Sequence, residues 1–536
     1  MAQHVMGDLK VNLDPPVTDS HTSEKAADTA EIERVMSPDD DLKKGGQNYG
    51  KMDAEVAKYA EGIPITITPE ENSRLKKLIN KRVLSIMVFT YFLQALDKGT
   101  LSFTSIMGLP EDLKLVGQQY SWLTTSIYIA ILIVEYPINW LVQRLPIAKF
   151  LGTCIIIWGS ILAFHAASSN FAGICALRIL LGIFEAVCQP TFLIMSSMWY
   201  KREEQVLIVS FWYCMNGAQQ IVGGLLAYCF SLIPDTAAIH SWQAIFIAYG
   251  AFSVLWGVFV IWWLPDSPMR AKCFSEHDKR LMVERVRSNQ TGLQNKTFKM
   301  EQVKEALCDV QCWCYCLIQI CTTLPTGGLG AFANIIIKGF GFTTLEVQLL
   351  AMVLGAFIIL VLFSSAWLVK KTKQNIIVMA CFCIPSFAGT IVLMTVKNDD
   401  TTSTEAGLLF SYYICLSFWA AQNLGMSLLS RNVAGQTKKS VAVAMNFIAW
   451  AAGNAVGPQV FLAYDAPRYF IAFATHLGCY TLLILNLIVL RWTLRSRNKK
   501  RDEIAAAGVQ EAHDETNVHA FEDLSDKENV NFRYMY

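Results

Sequence analysis

The chain is 536 residues long, 53% hydrophobic and only 17% charged, with a mean hydropathy of +0.34. A soluble globule carries about a quarter charged residues, so this composition excludes an ordinary soluble protein and points to the lipid bilayer as its solvent. The formal net charge of +1 leaves none of the basic excess that nucleic-acid binding requires.

Residues 1–80 are polar, with the acidic run Asp39-Asp40-Asp41 and no apolar core of a signal peptide, and they read as a disordered cytoplasmic tail. A first set of apolar runs follows at 83–106, 120–141, 150–167, 171–195, 206–233 and 242–264, within a half spanning 81–264. Residues 265–311 form a polar central loop. Within it, 275–287 sets Leu281, Val283 and Val286 among charges, which predicts a short helix, either amphipathic at the membrane surface or solvated between the halves. A second set occupies 313–337, 345–369, 375–396, 406–429, 440–463 and 469–490, within a half spanning 312–492. Residues 493–536 read as a second cytoplasmic tail, disordered beyond Arg501. Each run approaches the roughly 20 residues that cross a bilayer at about 1.5 Å per residue. The expectation is an all-α membrane protein of twelve transmembrane helices arranged as two six-helix halves.

Basic residues alternate between loops. Arg74, Lys76, Lys77, Lys81 and Arg82 precede the first run; Arg144 and Lys149, then Lys201 and Arg202, then Lys370, Lys371 and Lys373, then Arg431, Lys438 and Lys439 mark every second loop. Arg491, Arg495, Arg497, Lys499 and Lys500 follow the last run. Lys and Arg accumulate on the cytoplasmic face, so both termini and the central loop are expected there. The expected location is the plasma membrane, multi-pass, with an internal membrane as the alternative.

An ionisable residue at mid-span depth costs about 2.5–3.5 kcal/mol even on insertion scales and normally faces a cavity. Asp97 and Lys98 in the first run, and Arg178 and Glu185 in the fourth, meet this description. Arg178 and Glu185 are two helical turns apart, about 10 Å along the axis, on nearly one face. The competing reading is an ion-pair network that locks two helices together. Arg178 and Lys98 are candidate substrate-binding cations, and Asp97 and Glu185, each near a cation, candidate proton-coupling groups. Glu135 and Arg144, at one end of the second run, read as structural or gating partners. Asn216, Gln219, Asn334 and Asn423 are candidate pocket amides, a role as common as bridging two helices.

The fifteen cysteines fall mostly in apolar runs, where cysteine packs as a small hydrophobe. Cys308, Cys312, Cys314, Cys316 and Cys321 match no zinc spacing, and palmitoylation of Cys308 and Cys312 stands beside plain packing. No metal or cofactor is expected. No nucleophile elbow or phosphate loop appears in context, so the chain does not read as an enzyme.

At this point a resemblance enters. Asp97-Lys98-Gly99-Thr100-Leu101 and Gly117-Gln118-Gln119-Tyr120-Ser121-Trp122 resemble the opening of the fungal allantoate permease-like carriers. The run from Arg178 through Gly182 and Glu185 to Pro190 is similar to the signature of the anion:cation symporters of the major facilitator superfamily. Leu264-Pro265-Asp266-Ser267-Pro268, Asn432-Val433-Ala434-Gly435-Gln436, Gly457-Pro458-Gln459 and Asp465-Ala466-Pro467-Arg468-Tyr469 extend the likeness from about Thr68 to Arg495. The resemblance implies a monomeric, proton-coupled carrier of small organic anions, such as allantoate, ureidosuccinate or other carboxylate nutrients. It implies that Asp97 and Glu185 match the protonatable carboxylates, and Lys98 and Arg178 the cations facing substrate. Three positions depart from the pattern: Lys98 replaces an arginine fork, Ile131 stands where relatives carry tyrosine, and Ala351-Met352-Val353-Leu354 lacks a Pro-Tyr pair. An exporter of an acidic metabolite and a nutrient-sensing transceptor are the rival readings.

Overall fold

The computed structural model describes residues 67–234, 236–290, 299–399, 401–506, 524–529 and 532–536. Among them the regular secondary structure is helical, without strands. Helix α1 (Pro69–Ile79) starts at Thr68, whose side chain caps the Glu71 amide while the Glu71 carboxylate returns to the Thr68 amide. A π turn at Asn80–Leu84 carries it into α2 (Ser85–Thr104). The expected tail therefore ends earlier than residue 80: Leu75 and Ile79, one turn apart, are fully buried and pin α1 to the protein.

The first half continues with α3 (Gln119–Arg144), α4 (Ile147–Phe164), α5 (Phe171–Glu185), α6 (Cys188–Trp199), α7 (Arg202–Tyr213), α8 (Met215–Ser231) and α9 (Ser241–Trp263). The central segment holds α10 (Glu276–Gln290) and α11 (Met300–Cys308). The second half comprises α12 (Val310–Lys338), α13 (Thr344–Thr372), α14 (Asn375–Thr395), α15 (Thr402–Cys415), α16 (Trp419–Asn432), α17 (Gln436–Val456) and α18 (Phe470–Ala506). Nine helical segments among the described residues are long and apolar enough to cross a membrane unaided. The other three expected spans are interrupted. Helix α2 carries Asp97 and Lys98, the α7–α8 span breaks at Cys214, and a 3-10 turn at Leu416–Phe418 separates α15 from α16.

Close packing rests on glycine. Gly159 on α4 and Gly250 on α9 touch backbone to backbone, so that a Cβ on Gly250 would lie 2.5 Å from the Gly159 carbonyl oxygen. Across the two halves, a Cβ on Gly355 of α13 would lie 2.6 Å from the carbonyl oxygen of Gly217 on α8.

Polar contacts between the halves gather at one end. Asn334 donates to the Ser102 carbonyl at 3.0 Å, Gln348 to the Phe103 carbonyl at 3.3 Å, and the Tyr120 hydroxyl to the Ala331 carbonyl at 2.8 Å. Thr125 donates to the Ala455 carbonyl at 2.7 Å and accepts from Gln459 at 2.9 Å. At the opposite, basic end several ion pairs close within a half. Arg285 reaches Glu204 at 2.6 Å and Lys76 reaches Glu204 at 3.1 Å, while Lys438 reaches Glu305 at 2.8 Å and Arg497 reaches Asp309 at 2.5 Å. The halves are thus fastened at the end away from the basic loops.

Helix α10 turns its apolar face onto the first half and leaves Glu276, His277 and Arg280 exposed. Leu281, Met282, Val283 and Val286 are buried, and Arg285 is 1% exposed, donating to Asn72, the Trp199 carbonyl and both Glu204 oxygens. The helix is a cap on the basic end of the first half. The second tail also departs from expectation. Helix α18 runs on to Ala506, and residues 524–529 and 532–536 lie against the second half.

Candidate functional site

Neighbouring residues on a helix point about 100° apart, so Asp97 and Lys98 cannot serve the same neighbour. Asp97 turns into the interior of the first half. It is fully buried, and its Oδ2 accepts from the Trp158 indole at 3.0 Å and from the Ser253 hydroxyl at 3.3 Å. Its Oδ1 has no hydrogen-bond partner among the described residues. Lys98 turns the other way and meets Glu185 at 3.5 Å, across from α2 to the end of α5. Of the four mid-span ionisable residues, Lys98 and Glu185 form the ion pair. The Glu185 side chain is fully buried, whereas that of Lys98 keeps 27% of its exposure. Gln94, one turn before Lys98, donates to the Glu185 carbonyl at 3.1 Å and holds the two helices in register.

Around this pair the structure gathers residues from both halves. Glu135 on α3 interacts electrostatically with Lys98 and accepts from Asn139 at 3.3 Å. Tyr128, two turns earlier on α3, interacts with Glu185 and packs edge-on against Trp450 of α17, with ring centroids 5.5 Å apart. Tyr213 stacks on Tyr91 at 6.4 Å, and Asn216 donates to the Tyr91 hydroxyl at 3.2 Å. Tyr91, Lys98, Tyr128, Glu135, Tyr213, Asn216 and Trp450 are all only partly buried. Lys98, Glu185, Glu135 and Asn216 came from the sequence. The four aromatic residues did not, because aromatics are common in spans and carry no cost that flags them. Tyr128 lies one turn from Ile131, which is itself buried.

Other sequence candidates lie elsewhere. Arg178 is 1% exposed, with its guanidinium carbon 5.8 Å from the Phe246 ring centroid and its Nε and one Nη lacking a hydrogen-bond partner among the described residues. In this conformation it is sealed inside the first half rather than open to the cavity. Gln219 is buried with its Oε1 beside Gly99, where a Cβ would come within 2.7 Å. Asn334, expected in the pocket, is 2% exposed and belongs to the fastened end. Asn423 is half-buried on α16. The Arg144 guanidinium covers the Trp140 ring at 4.1 Å. Among the described residues no group of His, Cys, Asp and Glu is placed to hold a metal ion. Cys312, Cys314, Cys316 and Cys321 are buried and Cys308 is exposed.

Comparison with known proteins places this geometry. A family model described as Major Facilitator Superfamily matches residues 87–458. The chain is 34% identical to the allantoate permease of Saccharomyces cerevisiae over 497 residues, 90% of each protein. It is 35% identical to the transporter C417.10 of Schizosaccharomyces pombe over 478 residues, 87% of this chain and 90% of that one. It is 32% identical to the thiamine pathway transporter THI73 of Saccharomyces cerevisiae over 468 residues, 87% of each. Among solved structures, an inward-facing bacterial homologue of the human lysosomal transporter Spinster superposes with a TM-score of 0.59 at 14% identity, covering 77% of this chain and 94% of that one. A D-xylose–proton symporter gives 0.57 at 14% identity, covering 76% and 96%. The helical architecture, the sequence match through most of its length and the polar cluster between the halves agree: the chain belongs to the major facilitator superfamily, as a multi-pass membrane transporter of the allantoate permease-like kind.

Proposed function

We propose that this protein imports a small organic anion together with protons across the plasma membrane, by alternating access between its two halves (81–264 and 312–492), with both ends of the chain cytoplasmic. The observation that carries the reading is the Lys98–Glu185 pair, half open to the space between the halves and half sealed. Lys98 is the cation a carboxylate substrate meets first. Asn216 and the Tyr91 and Tyr213 hydroxyls supply polar positions, and Tyr128 and Trp450 supply flat apolar walls, one from each half. An anion that takes Lys98 leaves Glu185 as an unpaired buried charge, a costly state relieved by a proton. Substrate binding then favours protonation, and protonation favours substrate binding by the same factor. This coupling needs no separate proton channel. Glu185 is the primary proton carrier in this scheme, Asp97 the inner carboxylate, and Arg178 a buried cation that holds the field positive around both. The similarity to allantoate permease supports an anionic substrate of that class.

The test is purified protein in liposomes with an imposed pH gradient. Labelled allantoate, ureidosuccinate and short carboxylates should include one that accumulates when the outside is acidic and leaks back when a protonophore is added. Accumulation indifferent to the protonophore would reject proton coupling. Net movement only out of the acidic compartment's partner, against import, would favour the exporter.

A further inference from the structure

The second half carries a feature that transport does not explain. Residues 524–529 and 532–536 are sewn onto its basic end. Asn432, at the end of α16, clamps the Met535 backbone with two bonds, donating to its carbonyl at 2.7 Å and accepting from its amide at 2.8 Å. Asn498 on α18 does the same to Tyr534, at 2.9 and 3.0 Å. Arg501 donates to the Phe532 carbonyl at 2.6 Å and to the Asp526 carbonyl, and its guanidinium covers the Tyr534 ring at 4.5 Å. Asp526 is fully buried: one carboxylate oxygen meets Lys438 of α17 at 2.6 Å, and the other accepts from the Tyr534 hydroxyl at 2.8 Å. Lys438 is itself fully buried and also holds Glu305 at 2.8 Å and Asp309 at 2.9 Å. A strap so attached ties together α11, α16, α17 and α18.

Ser525 sits at the centre of this attachment. It is fully buried; its Oγ accepts from the Glu528 amide at 3.2 Å, and its own amide donates to the Glu528 carboxylate at 2.7 Å. In sequence it is followed by Asp526, Lys527 and Glu528, the acidic context that one class of Ser/Thr kinase reads. We propose that Ser525 is a phosphorylation site and that its modification ejects the strap of residues 524–529 and 532–536 from the second half. A kinase acting on the undocked strap forms a bond between Ser525 Oγ and the γ-phosphorus of ATP. The bond from that phosphorus to the β–γ bridging oxygen breaks, ADP leaves, and the hydroxyl proton passes to the kinase's catalytic carboxylate. The phosphate brings a charge of about −1.5 to −2. In the docked strap no space surrounds Ser525, and Lys438 already faces three carboxylates. Size and charge therefore both oppose redocking.

The experiment is hydrogen exchange on the full-length protein in detergent, read by mass spectrometry in peptides covering 524–536 and 432–440. Unmodified protein should be protected in both regions, and Ser525→Ala, which loses only the bond from the Glu528 amide, should stay protected in 432–440. Ser525→Glu, and protein phosphorylated with ATP and an acidophilic Ser/Thr kinase, should exchange about tenfold faster or more in both regions. Wild-type protection in the stoichiometrically phosphorylated protein would overturn ejection. The double variant Asn432→Ala, Asn498→Ala frees the strap without touching the kinase motif. Failure of the kinase to modify Ser525 even there would overturn the site.

Discussion

At mid-membrane depth a single side chain is expensive enough to announce itself. Asp97, Lys98, Arg178 and Glu185 were all legible in the sequence because each violates the apolar rule of its span. What the sequence could not settle is partnership, because facing directions depend on helix rotation. Lys98 pairs with Glu185 at 3.5 Å, and Asp97 is held by Trp158 and Ser253. On the proposed reading, these partnerships give the two carboxylates different roles. Glu185→Gln keeps the shape of the site but cannot exchange a proton, so substrate exchange across liposomes should persist while pH-driven accumulation falls to background. Asp97→Asn keeps an oxygen for Trp158 and Ser253; it should retain pH-dependent accumulation to a larger extent than Glu185→Gln. If the two variants lose it equally, the division of roles fails. Arg178→Ala removes a fully buried cation whose Nε and one Nη have no hydrogen-bond partner among the described residues. On the proposed reading uptake is lost, and a melting curve run beside it separates that loss from unfolding. Normal uptake by well-folded Arg178→Ala would exclude the field-holding role.

Helices were legible as runs, and less so as partners. The amphipathic pattern of 275–287 announced α10, but the burial of Arg285 on Glu204 required the neighbouring span ends that no local pattern contains. The Glu204 carboxyl lies below its ordinary range: burial alone would raise it, and Arg285 and Lys76 more than offset that. A carboxylate depressed in this way contributes stability above its unfolded value near pH 4.3, and that contribution is lost only as pH falls through the lower folded value. Arg285→Ala should therefore lower the melting temperature by the same amount at pH 6 and pH 8; a loss that disappears at pH 6 would contradict this. Glycine spacing showed that helices approach closely without showing which ones. The α8–α13 crossing joins the halves, and Gly355→Val would drive methyl groups into the Gly217 carbonyl. Overpacking of this kind costs about 1–3 kcal/mol, and here it falls on a contact between moving parts. The expected result is a folded protein with strongly reduced uptake, checked by thermal melting beside transport.

The whole-molecule architecture was the most legible level, because span length and loop charge are set by the bilayer itself. The tails were misjudged for the opposite reason: composition marks a segment as polar and says nothing of a docking partner, as Asp526 against Lys438 illustrates. On the proposed alternating-access reading, fastening of the halves at one end puts access to Tyr128 and Trp450 on the side of the basic loops. A membrane-impermeant maleimide should therefore label Tyr128→Cys in inside-out vesicles and spare it in right-side-out vesicles when substrate is absent. The reverse pattern would overturn the proposed orientation.

The enclosure of Asp97 sets a limit on how the machine can turn over. When two rigid bodies pivot, distances inside each body stay constant. Trp158, Ser253 and Asp97 all belong to the first half, so pivoting changes none of the contacts that shut water away from this carboxylate. In the proposed cycle Glu185, beside a lysine that keeps 27% of its exposure, is the acid whose surroundings a pivot would change. The same stroke thus acts on one acid and passes the other by. Any proton leaving Asp97 waits for α4 or α9 to shift against α2, a slower internal breathing, with its own timescale, that the Gly159–Gly250 seam resists.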